Sequence, residues 1–125
     1  MKREFKTFAE ALRELRLARN LSLRQLAKKI TKKNGSSISP SYLHDIENSK
    51  RVPSAEIVVQ IARELDYDSD KLLGLAEKIS PEAEKLLKEQ PAAGEFLRKA
   101  KEVGFTDWEE LKKFIKKQSN EKNTR

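Results

Sequence analysis

Helix-start signals recur along this chain, and no stretch between them keeps the period-two alternation of a strand. Thr7 with Glu10 and Ser22 with Gln25 have the spacing of capping boxes, in which a hydroxyl accepts the N–H three residues on. Ser39-Pro40 and Ser80-Pro81 read as N-caps followed by proline at the first helical position, where its missing N–H costs nothing. Pro53-Ser54 opens another helix, and Thr106 with Glu109 a last one. Behind each signal the apolar residues repeat at helical spacing. Phe8, Leu12 and Leu15 follow the first, and Leu23, Leu26, Ala27 and Ile30 the second. Leu43 and Ile46 follow the third, then Ile57, Val58, Ile61, Ala62 and Leu65. A short segment from Ser69 carries Leu72, Leu73 and Leu75. Gln90-Pro91 breaks the helix begun at Pro81, and Gly104-Phe105 fits a glycine C-cap with its apolar contact. The pattern predicts an all-α protein.

At 125 residues the chain has room for one compact domain with a small appendage. The net charge is +7, unevenly placed. Residues 1–53 carry 13 Lys/Arg against 5 Asp/Glu, residues 54–79 carry 3 against 6, and residues 80–125 carry 11 against 9. A basic first half suggests a polyanion on one face. With no cysteine there is no disulfide or thiolate site, and the single His44 cannot make a metal centre. Neither a Gly-rich phosphate loop nor a Ser-His-Asp set with supporting spacing is present, so an enzyme is not expected, and no cofactor. Glu109-Glu110 suit the positive end of a helix dipole better than acid–base work. No apolar run approaches a membrane span and the start MKREFKTF lacks a signal-peptide core, so a cytoplasmic protein without membrane contact is expected.

The third helix carries the functional signal. With Leu43 and Ile46 inward, Ser41, His44, Asp45 and Asn48 fall on one outward stripe. These are compact hydrogen-bonding side chains of the kind that reach base edges in a major groove. Lys50 and Arg51 follow at once and suit phosphates.

Together LRELR, the Leu21-Ser22 to Leu26-Ala27 step and ISPSYLHDIENSKRVPS make residues 7–76 resemble the helix-turn-helix domain of lambdoid phage repressors and Xre-type regulators. The resemblance implies a five-helix lambda-repressor-like domain over residues 1–78; outside it, the helix signals and the polar end predict a C-terminal helical hairpin over 79–118 and a flexible tail over 119–125. It implies that the helix from Ser39 to Asn48 enters the major groove of double-stranded DNA, and that Ser22 and Leu23 offer backbone N–H groups to a phosphate. Base contacts then fall to Ser39, Pro40, Ser41, His44 and Asp45. Pro40 has no donor, so a hydrogen bond to a base is either missing there or replaced by apolar contact with a thymine methyl. Asp45 either accepts from a cytosine amino group or repels wrong sites. Backbone contacts fall to Lys50, Arg51 and Asn48, with Tyr42 either on a phosphate or packed on the core. Arg16 and Glu47 occupy the positions of a structural ion pair.

Two departures stand out. Where the family has about one residue between the positions of Ile30 and Ile38, this chain has TKKNGSS. Either the second helix is longer or the turn becomes a loop, with Lys32 and Lys33 on phosphates or merely solvated. Ser49 stands where the family often has glycine. Beyond residue 79, Phe96, Phe105, Trp108 and Phe114 are too many aromatics for a solvated linker. With Leu97, Leu111 and Ile115 they suit a homodimer interface, as family members generally bind two-fold sites as dimers. The alternatives are a hairpin folded back on its own domain, or a surface for a protein partner, as in antitoxin-type regulators and those paired with a metallopeptidase. A repressor is the expected function.

Overall fold

The computed structural model describes residues 4–123, and among these the helical expectation holds. The helices are α1 (Phe8–Ala18), α2 (Leu23–Lys28), α3 (Pro40–Glu47), α4 (Ala55–Glu64), α5 (Ser69–Leu75), α6 (Pro81–Glu89), α7 (Pro91–Glu102) and α8 (Trp108–Asn123). Side-chain caps start most of them. The Ser22 hydroxyl accepts from the Gln25 N–H while Gln25 accepts from the Ser22 N–H, a complete capping box. Thr7 caps α1 through the Glu10 N–H, but the Glu10 carboxylate reaches back to the Lys6 N–H instead of Thr7. At α8 the cap is Asp107, whose Oδ1 accepts from the Glu110 N–H at 3.2 Å. The Thr106–Glu109 box expected there is displaced by one residue, because a carboxylate one position on competes for the same role.

Among the described residues, five helix ends close in the same way. The residue after the C-cap turns left-handed at Asn20, Ser49, Asp66, Glu77 and Gly104, and the next N–H returns to a carbonyl five residues back. Only the last of these is glycine, the residue such a turn favours.

The chain divides into two compact units, Met1–Glu84 and Lys85–Arg125, with the division inside α6. In the first unit α1 packs on α3 and α5, α2 on α3, and α4 on α5. Their shared core contains Leu12, Leu26, Ile30, Leu43, Ile46, Val58, Ile61 and Leu72, all essentially without solvent exposure. Burying so many branched side chains supplies most of the drive to fold. Ile30 belongs to this core although α2 has ended before it. In the second unit α7 and α8 meet through aromatic rings. Trp108 stands edge-on to Phe105 at 4.8 Å and to Phe96 at 6.5 Å between centroids. Helix α8 runs on to Asn123, through most of the stretch expected as a tail, and residues 124 and 125 lie outside the described residues.

Candidate nucleic-acid interface

Helix α3 is short, and its two faces have opposite characters. Leu43 and Ile46 are buried, which turns Ser41, His44 and Asn48 outward into solvent and leaves Asp45 half-buried. Ser39 is the N-cap, its Oγ accepting from the Tyr42 N–H at 3.0 Å, and Pro40 fills the first helical position. That hydroxyl keeps its own proton for a partner. The Asn48 amide donates to the His44 carbonyl at 2.7 Å and lies 3.3 Å from His44 Nε2, so these two side chains are coupled.

Asp45 and Arg51 form the second coupled pair. The Arg51 Nε donates to Asp45 Oδ2 at 3.4 Å, and its guanidinium carbon lies 5.9 Å from the centre of the Tyr42 ring. The turn at Ser49, with φ of 61°, makes this possible by folding the chain back along α3. Asp45 is therefore not a bare carboxylate. Arg51 neutralises it through Nε, a bond that does not engage the two outer nitrogens of the guanidinium. Tyr42 is half-buried against the core, the packing role expected of it, and its ring also faces the Arg51 guanidinium.

Arg16 on α1 and Glu47 on α3 are brought together in the interior. Arg16 Nε donates to Glu47 Oε2 at 2.6 Å and Nη2 to Oε1 at 3.0 Å, while Nη1 donates to the Leu21 carbonyl at 2.7 Å. The bond to Glu47 holds the guanidinium pKa above its ordinary value, with burial opposing it. This pair ties the end of α3 to α1.

The seven-residue insertion resolves as a loop, not a longer helix. It is a small antiparallel hairpin with a bridge between Thr31 and Ser37. The Lys32 N–H donates to the Ser36 carbonyl at 2.7 Å, and the Ile38 N–H to the Ile30 carbonyl at 3.0 Å. That last bond brings the ends of the insertion together directly before the cap of α3. Gln60 on α4 grips the base. Its Oε1 accepts from the Thr31 N–H at 2.8 Å and its Nε2 donates to the Thr31 carbonyl at 2.8 Å. Sequence reasoning missed Gln60, since an amide on a helix face carries no local mark of a partner 29 residues away. Lys32 and Lys33 are exposed, as are Lys50 and Arg51.

At the start of α2 the Ser22 N–H is already taken by Gln25, so only the Leu23 side of that end is left for an anion. Of the C-terminal residues singled out in the sequence, Phe96, Leu97, Trp108 and Ile115 are exposed, while Phe105 and Leu111 are half-buried. No helix among the described residues is long and apolar enough to cross a membrane.

A family profile described as helix-turn-helix matches residues 12–72, the stretch holding α2, α3 and their supports. No curated protein matches the chain. A solved structure entitled SinR protein/SinI protein complex is similar in sequence at 24% identity, covering 94% of this chain and 99% of that one, with a TM-score of 0.46. Residues 12–72 thus form a helix-turn-helix domain of the Xre and lambdoid-repressor type, the kind that DNA-binding transcription regulators carry.

Proposed function

We propose that this protein is a repressor that binds a two-fold symmetric operator as a homodimer, with α3 in the major groove. The observation that carries the reading is the outward stripe of Ser41, His44 and Asn48, held rigidly by Arg16–Glu47 and flanked by Lys50 and Arg51. Ser41 and His44 read bases, with Ser39 and Pro40 at the helix start beside them. Asp45 contributes through a cytosine amino group when its bond to Arg51 opens. Lys50, Arg51, Asn48 and Tyr42 hold the phosphate backbone, as do Lys32, Lys33 and the Leu23 N–H. A bound dimer of this kind blocks polymerase sterically and needs no activation surface.

For dimerisation the supporting observation is apolar exposure. Phe96 is 51% exposed, Trp108 44% and Ile115 58%, so packing within the C-terminal unit does not cover them. Exposed aromatic surface on this scale suits an interface core. The same surface supports a second reading, an antitoxin-type or metallopeptidase-paired regulator whose C-terminal helices bind a protein partner.

Selection of binders from a random duplex library near physiological salt tests the main reading. Enrichment of a symmetric site with half-sites about one helical turn apart is the expected result. Recovery of DNA without enrichment would reduce the function to non-specific binding, and recovery of none would favour the protein-partner reading.

A further inference from the structure

The hairpin between α2 and α3 is more than a tolerated insertion. Six of its seven residues, all but Lys33, are tied by hydrogen bonds. Beyond the Thr31–Ser37 bridge, Asn34 Oδ1 accepts from both the N–H and the hydroxyl of Ser36, at 3.0 and 2.7 Å. The Gly35 N–H closes the tip on the Lys32 carbonyl at 3.0 Å, with Gly35 at a φ of 88° that few other residues adopt. Ser37 Oγ donates to the Lys28 carbonyl at 3.3 Å, anchoring the returning arm to the end of α2. A loop that served only to connect two helices would have no need of Gln60, which pairs with both backbone groups of Thr31 as a neighbouring strand would. What the tied loop carries outward is charge. Lys32 and Lys33 are exposed at its tip, and neither forms an ion pair with any of the described residues.

Geometry sets what those charges can reach. The hairpin base is the Ile30–Ile38 bond, one residue before the cap of α3. Three residues of strand carry the tip about 10 Å from that base. The major groove is about 12 Å wide, so a span of this length starting beside the amino end of α3 is long enough to reach the sugar-phosphate wall.

We propose that residues 31–37 form a cationic wing that places Lys32 and Lys33 on the phosphate backbone beside the groove entered by α3, and that Gln60 is the positioning residue that holds the wing there. This rests on the DNA-binding reading of α3. A floating loop would forfeit most of the benefit of two lysines to the entropy of ordering them, whereas a clamped one has met that cost in the free protein.

The test compares the salt dependence of DNA affinity, by fluorescence anisotropy on selected and random duplexes, for four full-length proteins. These are the wild type, Lys32→Gln/Lys33→Gln, Gln60→Met and the triple variant. Removing two phosphate-binding lysines lowers the slope of log K against log salt by about 1.8. Lys32→Gln/Lys33→Gln is expected to show that fall on both DNAs, and Gln60→Met a large part of it. The triple variant is expected to match the lysine variant, because Gln60 acts only through the wing. Gln60→Met keeps the length of the side chain while removing both bonds to Thr31, whose amide hydrogen then exchanges faster with no DNA present. Should that variant melt early, Gln60→Glu, which keeps the acceptor, gives the same comparison on lysine-bearing and lysine-free backgrounds. An unchanged slope in the lysine variant would overturn the wing, as would a Gln60 effect of equal size with and without the lysines. Both of those results leave DNA binding by α3 intact; absence of wild-type binding at any salt would remove that reading as well.

Discussion

The Arg16 guanidinium and the Glu47 carboxylate meet in two parallel hydrogen bonds, at 2.6 and 3.0 Å, between α1 and the end of α3. Both side chains are nearly withdrawn from solvent, at 11% and 7% exposure. Removing one partner strands the other, and deleting Arg16 also frees the Leu21 carbonyl. Arg16→Ala or Glu47→Ala should each lower stability by about 3 kcal/mol, checked by urea denaturation. Replacing both with apolar residues of similar volume should cost far less than the two single effects added together. If the single variants melt like wild type, the pair does not hold α3.

Asp45 and Arg51 make the contrasting case. Arg51 is 63% exposed, so the pair adds at most about 1 kcal/mol to folding and Asp45→Ala should melt close to wild type. Its effect belongs to DNA binding. Asp45→Ala should change which sites are preferred, as should Ser41→Ala and His44→Ala, each by about 1–3 kcal/mol between the best and the next base. Arg51→Ala and Lys50→Ala should instead weaken binding on every duplex, and each should lower the salt slope by about 0.9 if its side chain holds one phosphate. Equal weakening on selected and random DNA for the stripe variants would contradict base readout.

Four of the left-handed turns that end helices use residues other than glycine, and two of these, Ser49 and Glu77, lack even the tolerance that asparagine and aspartate have for that conformation. Ser49→Gly and Glu77→Gly should each raise stability by about 0.5 kcal/mol, the relief of strain exceeding the added freedom of the unfolded chain. Thermal melting of the two variants decides this. A drop in melting temperature for both would mean that the side chains make up for the strain.

Exposed apolar residues in the C-terminal unit should make the oligomeric state sensitive to polar substitution. Phe96→Ser with Ile115→Ser should shift the molar mass found by light scattering from dimer toward monomer. Binding to a single half-site should survive that change, and binding to a full symmetric site should weaken. A wild-type protein that stays monomeric at high concentration would remove the dimer and leave the surface to another protein.

What the sequence determined by itself was local. Helix starts at Ser22, Ser39 and Ser54 were legible because a cap and the N–H it satisfies lie within three residues, so no distant part of the chain can alter the pairing much. The inward Leu43 and Ile46 followed from helical periodicity, and the outward stripe followed from them. Even here local competition mattered, since Asp107 took the cap expected of Thr106. The tertiary structure decided what depends on residues meeting from far apart. Whether TKKNGSS lengthens α2 or loops out was open in the sequence, because either choice leaves its own backbone satisfied; the Ile30–Ile38 bond and the Gln60 clamp settle it. The meeting of Arg51 with Asp45 has the same origin, for it needs the left-handed turn at Ser49, where the local preference of serine points the other way. Caps and periodicity are settled over one helical turn, whereas hydrogen bonds across 29 residues exist only once a shared hydrophobic core has set the helices side by side.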